Sequence, residues 1–235
     1  MTTFKNIILL GRPASGKSEF IDFLKRRSEF ERKDAYHVGK IYELDDFLWL
    51  WEKFVEDDIW ERSGHKRRYS ISNGHDYTIT DYTLLDFCLA RFNVEHPKQP
   101  QDGTIFIEFA RGKQDGGYRH ALSRLSNEIL NNSVVVFIYT SYEEACRRNE
   151  ARYQEKLKHS VLAHKVPEAD MVRFAKEIDW LELTDSKPLG RLRVRDIELP
   201  FVTIQNEPEL TDAVALGERY GSALNELHKL LKDNN

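Results

Sequence analysis

The sequence has few cysteines and no long apolar run. Only two cysteines, Cys88 and Cys146, occur in 235 residues, and they lack metal-site spacing, which favours small core side chains over a disulfide or a nucleophile. The longest apolar run, residues 134–139, is far too short to cross a bilayer. The first residues lack the apolar stretch and cleavage site of a secretory signal. We therefore expect a cytoplasmic protein with no membrane partner.

An excess of positive charge is also missing. Lys and Arg number 35 against 39 Asp and Glu, which gives a net charge of -4 and disfavours nucleic acid as a partner. A local basic cluster at 65–68 keeps nucleic-acid ends open as an alternative target. Hydrophobic residues make up 40% and aromatic residues 11% of the chain, and these shares indicate a folded core rather than a disordered chain.

Apolar strand-like segments alternate with helix-like segments through most of the chain. We predict strands at 4–10, 36–44, 104–108, 134–139 and 201–204. This alternation predicts one α/β domain over residues 1–235, with a parallel sheet of about five strands and helices on both faces. In such sheets ligands bind beyond the carboxyl ends of the strands.

Residues 52–80 interrupt this alternation. Alternating polar and apolar residues flank Asn73 and Gly74, and this pair tolerates the positive φ angles of a type I′ turn. We therefore expect an insertion that carries a β-hairpin centred on Asn73 and Gly74. The four aromatic residues near its start are more typical of core packing than of stacking on a planar substrate; they are Trp49, Trp51, Phe54 and Trp60.

The most specific motif is G-x-x-x-x-G-K-S at residues 11–18, between a predicted strand and a predicted helix. Its glycines allow backbone N–H groups to surround phosphate oxygens at a helix N-terminus. Lys17 is placed to reach the β- and γ-phosphates, and Ser18 to supply a hydroxyl to Mg²⁺. The predicted nucleotide-binding residues are Gly11, Ala14, Ser15, Gly16, Lys17 and Ser18.

With this motif near its N-terminus, the chain resembles the P-loop NTPases. Weaker features spread over the whole chain, including its length, are similar to those of the nucleoside and nucleotide kinase-like group of small-molecule kinases. The resemblance implies a sheet of order 2-3-1-4-5 and an ATP site with Mg²⁺ at the P-loop. It also implies a substrate region after the second strand and a mobile lid after the fourth, here residues 147–165.

Three carboxylates lie at the end of the second predicted strand, at Glu43, Asp45 and Asp46. The position resembles the acidic strand end of small-molecule kinases, where a carboxylate acts as general base toward the acceptor hydroxyl. An acidic residue here is equally typical of a helix N-cap. We expect Asp45 to be the catalytic base and Asp46 to be the cap, with Glu43 as a further candidate base.

Glu108 and Arg111 end the third predicted strand. Glu108 is expected to hold Mg²⁺ through water or to orient the attacking group, although a solvent-facing strand end is the simpler alternative. Arg111 is expected to bind a substrate phosphate or a developing charge. In the family the acidic residue and the arginine are often adjacent, whereas here they are three positions apart.

Arg148 and Arg152 follow the fourth strand, where the resemblance places the lid. They lie on one helical face, and guanidinium groups suit phosphate oxygens. We expect both to bind ATP phosphates and Arg148 to assist catalysis. The alternative is a solvated helix whose arginines pair with neighbouring glutamates.

These patterns predict an ATP- and Mg²⁺-dependent phosphotransferase that moves the γ-phosphoryl group to a small hydroxyl or phosphate acceptor, with a nucleoside or nucleotide as the first candidate. The expected partners are ATP and that acceptor; the sequence leaves the acceptor's identity and the oligomeric state open. The alternatives are an ATP-hydrolysing switch and a kinase of nucleic-acid ends. Residues 206–209 follow the last strand but lack the Lys and Asp of a guanine motif, which disfavours GTP.

Overall fold

A computed structural model describes residues 2–74, 76–158 and 165–232. The strands are β1 (Asn6–Gly11), β2 (Lys40–Asp45), β3 (Ser70–Ser72), β4 (Tyr77–Ile79), β5 (Gly103–Phe109), β6 (Ser133–Tyr139), β7 (Leu189–Val194) and β8 (Ile197–Gln205). The helices are α1 (Lys17–Lys25), α2 (Glu29–Ala35), α3 (Asp46–Arg62), α4 (Thr83–Glu95), α5 (Gly117–Arg124), α6 (Asn127–Leu130), α7 (Tyr142–Leu157), α8 (Glu168–Met171), α9 (Trp180–Leu183) and α10 (Ala213–Lys232). Short 3₁₀ turns lie at His96–Lys98 and Lys113–Asp115, and a π-helical turn lies at Val172–Lys176. No helix in these ranges is long and apolar enough to cross a bilayer.

The main sheet has six strands in the order β2-β5-β1-β6-β8-β7. Its first five strands are parallel and confirm the predicted order 2-3-1-4-5. The sixth strand, β7, pairs antiparallel with β8 at the edge. The sequence pattern does not reveal β7, because its arginines and glycine obscure the apolar pattern that marks the buried strands.

Helices cover both faces of the sheet, so the central strand β1 is buried along its whole length. Ile8 and Leu10 face the larger core with α3, α4 and α5, while Ile7 and Leu9 face the core built with α1 and α10. This alternation follows the two-residue period of a strand. Both cysteines are free, and Cys88 is buried in the larger core, as predicted.

The predicted hairpin is present as β3 and β4, but its turn is shifted by one residue. Ser72 pairs with Tyr77, and the backbone N–H of Asn73 donates to the Asp76 carbonyl at 2.9 Å. The positive φ of +89° falls on Gly74. Gly74 is therefore the first central residue of the turn, and Asn73 precedes it. The register follows burial: Ser70 and Ile79 pair as the buried positions of the hairpin.

Candidate active site

The loop between β1 and α1 has the backbone that phosphate binding requires. Gly16 has φ +105°, and a Cβ at this position would lie 2.4 Å from the side-chain amide of Asn206, so only glycine fits. Within the described part of the chain, no side chain caps the first turn of α1. The N–H groups of a first helical turn have no partner inside the helix, and they attract anions.

Lys17 lies across this loop with its side chain buried. Its Nζ donates to the carbonyls of Gly11, at 3.2 Å, and Arg12, at 3.1 Å. It also lies 3.9 Å from Oε1 of Glu108. The lysine of the motif and the acidic end of the neighbouring strand thus meet at one point, as the parallel pairing of β1 with β5 requires.

Two acidic strand ends lie side by side at this edge of the sheet. Asp45 pairs in register with Glu108, and both line the cleft that contains Lys17. Burial, reinforced by the charge of Asp46, raises the pKa of Asp45 to about 6. Burial also raises the pKa of Glu108 to about 7, with Lys17 opposing the rise and Asp45 adding to it. Such values suit proton transfer near neutral pH.

The roles expected for Asp45 and Asp46 change in the structure. Asp45 is the N-cap of α3, because its Oδ1 accepts the N–H of Phe47 at 2.9 Å. Asp46 is buried, and its Oδ2 pairs with Nη1 of Arg111 at 2.6 Å. The expectation that Asp46 caps the helix was wrong, because the first helical turn directs its side chain inward to an arginine that follows β5.

Arg111 is one of the most deeply buried charges, with a side chain 2% exposed. Besides Asp46, it donates to the backbone carbonyls of Ala110, at 2.6 Å, and Leu85, at 3.1 Å. Glu43 points elsewhere: it pairs with Lys25 at 2.5 Å and does not contribute to the cleft lining. Of the three carboxylates at the end of β2 and the start of α3, only Asp45 both lines the cleft and has no arginine partner among the described residues.

The two arginines expected in the lid, Arg148 and Arg152, lie in different environments. Arg152 lines the cleft and pairs with Glu19 of the first turn of α1. Arg148 is buried behind the P-loop, where Nε pairs with Glu144 at 2.7 Å and Nη2 donates to the Asn206 carbonyl at 2.5 Å. Residues 159–164 of the expected lid lie outside the described residues.

Asn206 supports the P-loop, a role the sequence analysis missed. Its Nδ2 donates to the Ser15 carbonyl at 2.8 Å, and its Oδ1 accepts from Nη1 of Arg219 at 2.9 Å. The sequence signal was present, since an asparagine directly follows the last parallel strand. Because the segment does not match a guanine motif, its asparagine had no predicted role.

Part of the basic cluster at 65–68 is bound inside the insertion. Arg67 pairs with Asp58 at 2.6 Å and with Glu61 at 3.0 Å. The backbone N–H of Arg68 donates to the buried carboxylate of Asp57 at 2.8 Å. These contacts attach the hairpin to α3 and engage the charge of Arg67, whereas the side chains of Lys66 and Arg68 are exposed.

The cleft lined by Lys17, Asp45 and Glu108 has a volume of about 280 Å³. At one end lie the P-loop and Arg152; at the other lie the side chains of α3, the hairpin and the segment around Asp170. No group of three or more His, Cys, Asp or Glu side chains arranged to hold a metal occurs in the described ranges. A P-loop site fits this finding, because the Ser18 hydroxyl and one carboxylate such as Glu108 would hold Mg²⁺ together with phosphate and water oxygens.

Comparisons with known proteins give structural matches only. No family model matches the chain, and no curated protein matches it. A gluconokinase from Sinorhizobium meliloti aligns over 100% of this chain and 99% of its own, with 11% identity and a TM-score of 0.47. A shikimate kinase from Acinetobacter baumannii, in complex with shikimate, aligns over 99% and 96%, with 16% identity and a TM-score of 0.42. A sugar kinase from Janibacter aligns over 98% of each chain, with 12% identity and a TM-score of 0.40.

The chain's own topology resembles that of the P-loop small-molecule kinases. It has a mostly parallel sheet flanked by helices, with the P-loop after the central strand and the expected order of the parallel strands. The antiparallel strand β7 is an addition to that pattern.

Proposed function

We propose that this protein is an ATP- and Mg²⁺-dependent phosphotransferase that phosphorylates a hydroxyl group of a small molecule. The observation that carries the proposal is the meeting of Lys17, Glu108 and Asp45 in one cleft. A nucleotide-binding lysine next to carboxylates with raised pKa values supplies both a phosphate site and a proton acceptor.

ATP would supply the phosphoryl group, and Mg²⁺, when bound, would neutralise part of its charge. The first turn of α1 and Lys17 would bind the phosphates, while Ser18 and Glu108 would hold the metal. Asp45 accepts the proton of the acceptor hydroxyl. A carboxyl with a pKa of about 6 is mostly ionised at pH 7, yet it is more basic than an exposed aspartate.

The arginines have different parts in this scheme. Arg152 opens toward the cleft, and we assign it to phosphate binding after it leaves Glu19. Arg148 is a positioning residue that holds the P-loop in place, because its guanidinium is buried among Glu144, Asn206 and the Ser15 carbonyl. Arg111 fixes Asp46 and so fixes the start of α3, from which Asp45 accepts its capping hydrogen bond.

ATP binding is tested first with Lys17→Ala. The variant should bind Mg²⁺-ATP at least about tenfold more weakly in calorimetry, because it loses a buried cation at the phosphates. Lys25→Ala is the matched control: Lys25 ends the same helix, is 44% exposed and pairs with Glu43 outside the cleft. Equal ATP affinity for Lys17→Ala and the wild type would refute the phosphate site.

The base is tested with Asp45→Asn. Asparagine keeps the helix cap but cannot take a proton, so turnover should fall by about 10²–10⁴ while ATP affinity stays within a factor of about 3. Glu43→Gln, two residues earlier on the same strand, should retain activity. The wild-type rate should fall as pH drops through about 6, the value at which Asp45 becomes protonated. If Asp45→Asn retained full turnover, the catalytic base would have to be another group.

A further inference from the structure

The acceptor end of the cleft lies beside β2, two strands away from the P-loop strand β1. Asp45 lies level with Leu9 through their shared partner Glu108. Two strand spacings of roughly 4.8 Å place β2 about 10 Å from β1. The side chains of α3, which follows β2, therefore surround the acceptor rather than the phosphates of ATP.

A rigid aromatic wall forms this end. Tyr77 of the hairpin stacks on Phe54 with 5.3 Å between ring centres and meets Trp51 edge-on at 5.2 Å. The Tyr77 hydroxyl donates to Oδ2 of Asp58 at 2.6 Å, which fixes the ring. All three aromatic residues line the cleft. A preformed wall of this kind suits a flat, apolar ring.

Every described cation that lines the cleft already has an anionic partner. Arg152 pairs with Glu19, Arg111 with Asp46 and Lys165 with Glu150. The fourth cation, Lys17, belongs to the phosphate site and lies near Glu108. Arg152 is assigned to the phosphates of ATP as well, so the two described cleft cations left for the acceptor end, Arg111 and Lys165, both have carboxylate partners.

Two carboxylates at this end have no cation bonded to them in the described structure. Asp45 is held by a backbone N–H. Asp170 is buried and accepts from the Tyr82 hydroxyl at 3.0 Å and from the Ile79 N–H at 3.4 Å. The arginine nearest in sequence, Arg173, pairs bidentately with Asp115 instead. An anionic acceptor would meet like charge here, in surroundings where repulsion is poorly screened.

We propose that the acceptor is an uncharged hydroxyl compound with a flat ring, and that the site rejects sugar acids and nucleoside monophosphates. The proposal rests on the proposed kinase function and narrows its substrate class. The aromatic wall selects the ring, and the excess of carboxylates excludes anions. Asp170 is then a specificity-determining residue, distinct from the base at Asp45.

The direct test uses pairs of acceptors that differ in charge. Purified enzyme is supplied with Mg²⁺-ATP and one acceptor at a time, and ADP release is followed. The acceptor pairs are each nucleoside and its 5′-monophosphate, glucose and gluconate, and benzylic alcohols with and without a ring carboxylate. We expect kcat/KM for at least one neutral ring compound to exceed that of its anionic partner by at least about tenfold. A preference for the anionic member, or turnover of none of the neutral ring compounds, overturns the proposal.

Two variants test the residues named. Trp51→Ala should raise the acceptor KM by about tenfold or more while the ATP KM changes less than about twofold, because the lost ring belongs to the aromatic wall at the acceptor end and not to the P-loop. The matched control is Trp60→Ala, since Trp60 lies on the same helix but is 44% exposed and contacts His65. Asp170→Asn should reduce the neutral-over-anionic preference by roughly tenfold. If a folded Asp170→Asn enzyme keeps the same preference, Asp170 is not a specificity-determining residue and its assignment is overturned.

Failure of this inference and failure of the kinase function give different results. If the enzyme binds Mg²⁺-ATP through Lys17 and phosphorylates an anionic compound, the kinase function stands and the acceptor class is wrong. If Lys17→Ala binds ATP as well as the wild type does, the kinase function itself fails.

Discussion

The free energy of unfolding of Glu108→Gln, measured relative to that of the wild type, should increase as pH rises. The Glu108 side chain is 13% exposed, and burial raises its pKa from 4.5 to about 7. A carboxyl whose pKa is raised by folding binds its proton more tightly in the native state. Its favourable contribution is therefore complete below pH 4.5 and is lost as pH rises through about 7. Glutamine has the same shape and no such loss.

The magnitude follows from the size of the shift. A change from 4.5 to about 7 corresponds to about 3 kcal/mol at most. For a domain of this length that is roughly 6–12 °C in melting temperature. The gain should develop between pH 4.5 and pH 7 and level off above it. Because the comparison is between pH values, any constant effect of the substitution on packing cancels.

The assay is urea denaturation of both proteins at pH 4.5, 6 and 8, with the difference in unfolding free energy plotted against pH. Glu43→Gln is the control, because Glu43 lies on the neighbouring strand, is exposed and does not line the cleft. A flat plot for Glu108→Gln would show that Glu108 does not titrate as a buried carboxyl. A negative slope would show that Lys17 stabilises its charged form more than burial destabilises it. The same variant should need more Mg²⁺ for activity, since it loses a charged ligand.

Three further predictions concern other parts of the structure. Asp46→Asn should lower the unfolding free energy by about 3–5 kcal/mol in urea denaturation, because it leaves Arg111 buried without its counter-charge. His228 stacks on His37 at 3.6 Å, and burial lowers its pKa from 6.5 to about 4. Its contribution to stability is thus present above pH 6.5 and lost as pH falls toward 4, and His228→Gln should flatten this loss in thermal melts. Amide hydrogen exchange over 142–158 should slow when ATP is added, if this segment closes over the phosphates.

Each of these predictions has a result that contradicts it. Wild-type stability of Asp46→Asn would mean that the ion pair with Arg111 is not buried. An unchanged acid transition in His228→Gln would assign that transition to other groups. Equal exchange with and without ATP would leave Arg152 as an ordinary surface residue bound to Glu19.

The sequence by itself predicted the P-loop as a strand–loop–helix unit and the presence of five parallel strands, while the resemblance to P-loop kinases supplied their order. The P-loop is local: its glycines, lysine and serine lie within eight residues, and their spacing alone fixes the strand–loop–helix geometry. The parallel strands are equally readable, because continuous apolar runs mark strands that are buried on both faces. The edge strand β7 lacks such a run and was missed.

Only the tertiary structure decided how charges are shared at the site. Asp45 and Asp46 are adjacent in sequence and chemically alike, yet one caps α3 and the other is neutralised by Arg111, 65 positions away. The pairing arises because β5 lies between β1 and β2, which places the segment after β5 against the start of α3. Long-range contacts of this kind leave no periodic signal in the sequence. The same reason explains why Arg148, which lies near Arg152 on one helix, is buried behind the P-loop while Arg152 faces the cleft.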